Sequence, residues 1–134
     1  MKTTNEQLSY ALLRITMGAA MMGHGLVRIP KLEVFAGGMV KMFDGVLPAA
    51  LVTPFAHVLP FLEFIIGALL ILGWLTRATL VVGAVLMMVL ILGSCLLEKW
   101  EFVGTQLVYS FLYFVLLRFL AFNAYALDNG IKKQ

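Results

Sequence analysis

Charge is what this sequence has least of. Ten Lys and Arg and seven Asp and Glu amount to 13% of 134 residues, against 62% hydrophobic residues and a mean hydropathy of +0.98. Globular domains average about 25% charged and about 45–50% apolar residues. A single small soluble domain could not hide this much apolar surface, so the surplus must face lipid. The net charge of +3 is spread thinly between apolar blocks. No basic stripe is interleaved with aromatics, which excludes nucleic acid as a partner. Cysteine is nearly absent: Cys95 stands alone in an apolar run, which rules out an intramolecular disulfide and a CxxC relay. Also missing are a glycine-rich phosphate loop, a Ser/His/Asp order and paired carboxylates. The residues by themselves name no reaction. The eight methionines form no repeated Met-x-x-Met run and read as fillers of irregular gaps.

What is present is long apolar runs. A span needs about 20 apolar residues to cross about 30 Å of hydrocarbon. Four stretches qualify, residues 8–27, 54–73, 78–97 and 102–122. The first is expected to be an uncleaved span, because Lys2 is the only early cation and the apolar run is long for a leader. Short links after the second and third spans force antiparallel neighbours. The predicted fold is therefore all-α, an integral membrane antiparallel four-helix bundle in a single transmembrane domain. Residues 28–53 are too many for a structureless connection. Leu32, Phe35, Met39, Met42, Phe43 and Val46 recur at helical spacing, with Glu33, Gly37, Lys41 and Asp44 opposite. This predicts a short amphipathic interfacial helix between spans one and two, ended by Gly45 and Pro48 and weakened at Gly37-Gly38. Lys2, Arg77, Lys132 and Lys133 on one side balance Arg28, Lys31, Lys41 and Lys99 on the other. Arg14 and Arg118 can snorkel toward the side that bears the termini, which tips the expectation to both termini cytoplasmic.

An ionisable group inside a span costs about 2.5–3.5 kcal/mol on insertion scales, so each needs a partner or a purpose. Glu63, near the middle of span two, reads as a proton carrier or cofactor anchor, or else as half of a structural pair. Arg14 is the partner expected for it. Arg14, Gly18, Gly25 and Arg28 share one face of span one, and the glycines let a helix or ligand come close. His24 and His57 have matching depth on adjacent spans, which would suit a shared metal or two axial haem ligands. Two ligands fall short of a closed metal site, however, and a histidine hydrogen-bonded to a neighbour explains each; haem and metal are disfavoured. Gln106, Tyr109, Ser110 and Tyr113 form a polar stripe on span four that could face a quinone-like head or simply bond between helices.

Several of these features together resemble the DoxX family of small four-helix bacterial membrane proteins. Span one reads Leu12-Leu13-Arg14-Ile15 and then Gly23-His24-Gly25-Leu26-Val27-Arg28, similar to the family's arginine followed by a His-Gly pair and a cation, often lysine where Arg28 stands. Span two reads Pro60-Phe61-Leu62-Glu63, then Gly67, then Gly73-Trp74-Leu75-Thr76-Arg77, which resembles the family's intramembrane glutamate and Gly-x-x-Thr-Arg turn. Tyr125-Ala126-Leu127-Asp128 is similar to a Tyr-Ser-Leu-Asp ending, with alanine for serine. The resemblance implies a helical bundle in the bacterial cytoplasmic membrane. The family's name comes from a subunit linked to thiosulfate:quinone oxidoreduction, but fold transfers between relatives better than function.

Three functions follow as expectations. The leading one is an accessory subunit for membrane redox chemistry that docks a quinone or a redox partner, with Glu63 and Arg14 as the polar site and His24, Arg28 and Gln106 at its mouth. The second is a non-enzymatic scaffold or stability factor, alone or as a homo-oligomer. The third is a small transporter or proton path, for which four helices leave little lumen. No cofactor is evident beyond the quinone that the first reading would take.

Overall fold

The computed structural model of the protein describes residues 3–131, and among these it is predominantly helical with no strand. Lys2, Lys132 and Lys133, on which the orientation count draws, lie outside the described residues. The first helix, α1 (Asn5–Arg28), opens with a capping box. The Thr4 hydroxyl accepts from the Gln7 N–H at 3.3 Å while the Gln7 side chain accepts from the Thr4 N–H at 3.2 Å. A 3-10 turn at Ile29–Lys31 holds Pro30 and redirects the chain into α2 (Leu32–Met42). That helix continues through Gly37-Gly38 rather than breaking there. Gly45, at φ +74°, then turns the chain toward Pro48 and α3 (Ala49–Leu72).

The helix α3 begins five residues before the predicted span 54–73. Pro54 lies inside it rather than at its start, at the cost of one backbone bond. Gly73 (φ 65°) and Leu75 (φ 51°) both take the left-handed conformation and make the tight turn into α4 (Thr76–Leu96). The next helix, α5 (Trp100–Arg118), stops short of the predicted residue 122, because residues Leu120–Phe122 wind as a 3-10 turn. A short α6 (Leu127–Ile131) closes the described chain.

Three helices, α3, α4 and α5, are long and apolar enough to cross a membrane. The 24 residues of α1 match α3 in length, but Arg14, His24 and its glycines dilute its hydropathy. The centre of the fold is the α1–α3 crossing, where glycines remove the side chains that would hold the backbones apart. A methyl group at Gly67 would collide with the Met22 backbone, and one at Gly25 with the Pro60 carbonyl. These contacts make α1 and α3 antiparallel and fix their register. Met17, Met21, Leu59, Ile66, Leu70 and Leu80 fill the core beside the crossing. On α4, Gly83 receives the ring of Tyr113 from α5. Outward-facing Ile65, Val82, Met88, Leu92, Phe111 and Phe114 stay exposed, as an apolar solvent requires. The predicted contact with a lipid bilayer thus accords with the fold.

Candidate functional site

The helix α5 packs chiefly against α4 and stands off α3. The space this leaves, closed on one side by α2, is a cavity of about 1010 Å³ lined by residues from all five long helices. Its walls are largely apolar: Phe35, Met39 and Phe43 come from α2 and its end, Phe55 and Leu59 from α3, Leu90 from α4. Such a shape, apolar with a few polar groups gathered in one place, is typical of small-molecule sites.

The polar groups gather where α1 ends. Arg28, its last residue, donates from Nη1 to both oxygens of Glu63 on α3, at 2.7 and 2.6 Å. The Glu63 side chain is 5% exposed and that of Arg28 27%, so the pair is shielded yet reaches the cavity. Across the guanidinium lies the Phe35 ring, its centroid 4.7 Å from the carbon at the group's centre, a cation–π contact that ties α2 to the pair. These bonds use Nη1 alone. The three N–H groups on Nε and Nη2 find no acceptor among the described residues. One turn earlier on α1, His24 donates from Nδ1 to the Ala20 carbonyl at 2.8 Å. Its ring meets Tyr109 of α5 edge-on, centroids 6.0 Å apart. Gln106, one turn from Tyr109, has a buried side-chain oxygen with no hydrogen-bond partner. A buried polar atom left unpaired costs about 1–3 kcal/mol, and it belongs to a residue that lines the cavity.

Of the residues expected to form one polar site, Glu63, Arg28, His24, Gln106 and Tyr109 line this cavity, and Arg14, His57 and Tyr113 do not. The expected Arg14–Glu63 pair is not formed. The α1–α3 register puts Glu63 opposite the end of α1, within reach of Arg28, and carries Arg14 to the far end of α3. There Arg14, 1% exposed, donates to the Leu70 carbonyl at 2.5 Å, the Ile71 carbonyl at 3.2 Å and the Tyr125 carbonyl. Two of these carbonyls belong to the last turn of α3, where a cation also suits the helix dipole. His57 turns outward, bonded to the Thr53 carbonyl at 2.8 Å and to Glu33 of α2 at 3.2 Å. It therefore does not join His24 at the cavity. No cluster of three His, Cys, Asp or Glu side chains suited to a metal occurs among the described residues. Tyr113 is 1% exposed against Gly83, its hydroxyl without a partner.

The remaining motif residues serve a second, structural cluster at the opposite end of α3. Asp128 accepts from the Leu75 N–H at 2.7 Å and the Thr76 N–H at 2.9 Å, capping α4 from the tail. Its own N–H returns to the Gly73 carbonyl at 3.1 Å. Asn123 donates to the Thr76 hydroxyl at 3.1 Å, and Tyr125 meets the Thr3 hydroxyl. Gly73 lies so close to Ala126 and the Arg14 guanidinium that a side chain there would clash with both. Arg77 is exposed. Gly25 and Pro60 belong to the α1–α3 crossing already described.

Sequence reasoning missed Phe35 as a site residue. It was visible only as one position in an apolar stripe, and nothing in the stripe marks which ring will stack on a cation. Tyr10, which donates to the Leu116 carbonyl at 2.8 Å, was missed as well. Neither the curated proteins nor the solved structures include a match to this chain. Residues 9–95, which run from α1 to the end of α4, match the DoxX family model, and the chain, a membrane protein, belongs to the DoxX family.

Proposed function

We propose that this protein is an accessory subunit for membrane redox chemistry that holds a quinone in the cavity between α2, α3 and α5. The observation that carries the reading is the large, mainly apolar cavity itself, lined at one end by Gln106, Tyr109, His24 and the Arg28–Glu63 pair. An amide and a phenol each donate and accept hydrogen bonds. They can serve a head with carbonyl oxygens and equally its reduced form with hydroxyls. The apolar walls would take the tail. A bound quinone would supply two-electron carriage, and this chain would bind it, orient its head and keep water away.

Four crossings suit this reading. The 24 residues of α1 span about 36 Å at helical rise, and α1 runs along α3 from the Leu70 level to the Glu63 level. Thr3 and Tyr125 meet, as an even number of crossings requires. In this arrangement α1, α3, α4 and α5 form an antiparallel bundle in the bacterial cytoplasmic membrane, α2 lies at the interface, and both termini are cytoplasmic.

The test is saturable binding of decyl-benzoquinone by the purified protein. Gln106→Ala and Tyr109→Phe are each expected to weaken it about tenfold, the worth of one lost buried hydrogen bond. Unchanged affinity in both variants would remove the site. The buried, doubly bonded Arg28–Glu63 pair favours a second reading, a non-enzymatic scaffold with the pair as structural glue. That reading predicts a stability loss in Glu63→Ala with no saturable quinone binding by the native protein.

A further inference from the structure

The polar end of the cavity contains a complete charge pair and no other charge. Arg28 and Glu63 are the only ionic side chains among its lining residues, and each cancels the other through two short contacts. The remaining polar groups Ser94, Thr105, Gln106 and Tyr109 carry no charge, and His24 adds none when its imidazole is in the neutral form.

We propose that this cavity selects an electrically neutral amphiphile and rejects an anionic one of equal size, an inference that rests on the ligand-binding function argued above. An anionic head has two ways to enter. With the pair intact, it gives up its hydration for a guanidinium whose charge Glu63 already offsets, and it meets the Glu63 carboxylate where the low dielectric leaves repulsion poorly screened. Alternatively it takes Arg28 from Glu63, which strands a carboxylate only 5% exposed without a counter-charge. A neutral head of carbonyl, hydroxyl or ether oxygens meets neither penalty. It can use the Gln106 amide, the Tyr109 hydroxyl and the guanidinium N–H groups that Glu63 leaves over. Phe35 covers the guanidinium on one side, which further narrows the approach of a competing carboxylate to Arg28. Specificity here is a difference of affinities set by what the site repels.

The test uses two probes of equal chain length, dodecanol and laurate. Both are radiolabelled and measured against the full-length protein in nanodiscs of a neutral phospholipid, with empty discs as the blank, at a pH alkaline enough to keep laurate ionised. The native protein is expected to bind dodecanol saturably and laurate at least about tenfold more weakly. In Glu63→Gln, which frees Arg28, laurate affinity is expected to rise about tenfold or more while dodecanol changes little. The double variant Arg28→Gln with Glu63→Gln is expected to restore the native preference. Equal or tighter binding of laurate by the native protein overturns the selectivity, and so does a folded Glu63→Gln variant with unaltered laurate affinity. If that variant does not fold, the two-probe comparison on the native protein decides alone. Saturable binding of neither probe, nor of decyl-benzoquinone, overturns the ligand-binding function and this inference with it. Binding of all three without preference overturns the inference only.

Discussion

Two arginines on one face of α1 find opposite solutions to the same problem. Both must place a charge in an apolar setting, where an unpaired group is costly. Arg28 takes a carboxylate and stays beside a cavity; Arg14 takes carbonyls and is sealed at 1% exposure. Their shared face, and the presence of Glu63 on a neighbouring span, were both legible in the sequence. The axial stagger between α1 and α3 was not, and it alone decides which arginine meets the glutamate. Helical periodicity reports the direction of a side chain around its axis, whereas stagger depends on backbone contacts between two helices. The division of labour makes a direct prediction. Arg14→Met is expected to lower unfolding stability by about 3 kcal/mol, because the Leu70, Ile71 and Tyr125 carbonyls lose charge-assisted donors. Its affinity for decyl-benzoquinone should stay within about twofold, since Arg14 does not line the cavity. Denaturant unfolding in mixed micelles and the binding assay together check both halves.

Between elements, glycine placement determines the fit. The glycine face of α1, with Gly18 and Gly25, was readable as one that admits a close neighbour, whereas Gly67 on α3 stood out only through the family resemblance; the structure presses them together. Gly67→Ala is expected to cost about 2–3 kcal/mol, because the added methyl meets Met22 backbone, which cannot rotate away. At Gly104 on α5 a methyl meets nothing within 4 Å, and Gly104→Ala is expected to gain up to about 1 kcal/mol from helix propensity. Opposite signs in the two unfolding curves are the expected outcome; a loss at both positions would mean α5 packs more tightly than described. The same contrast explains the cavity. A helix pair zipped by glycines at α1–α3 beside a looser α3–α5 relation leaves space on one side of α3 only. The sequence showed α2 as an amphipathic segment but not that its apolar stripe would face this space. Amphipathicity shows that a face must be buried and leaves open whether lipid or protein covers it.

At the scale of the molecule, the two ends of α3 have become two different sites, one beside the cavity and one joining the start of α1 to the segment around Tyr125 and Asp128. The motif residues Gly73, Thr76 and Asp128 could be picked out from their order, yet their joint purpose could not, because Asp128 caps a turn 52 and 53 residues earlier. The family match ends at residue 95, so the tail that completes this end lies outside it. Long-range contacts of that kind leave no local pattern to read. Their consequence is cooperative. Asp128 holds the tail to the Leu75–Thr76 turn, while Arg14 holds the adjacent Tyr125 carbonyl to the end of α3. Asp128→Ala alone is expected to cost about 1–2 kcal/mol, the loss of a helix cap. Once the tail is released by either substitution, the other residue has less left to hold. The combined Arg14→Met and Asp128→Ala variant should therefore fall short of the sum of the single losses by about 1 kcal/mol, a coupling expected when two groups share one network. Strict additivity in a double-mutant cycle would mean that the two residues stabilise the fold independently and that the tail is no common element between them.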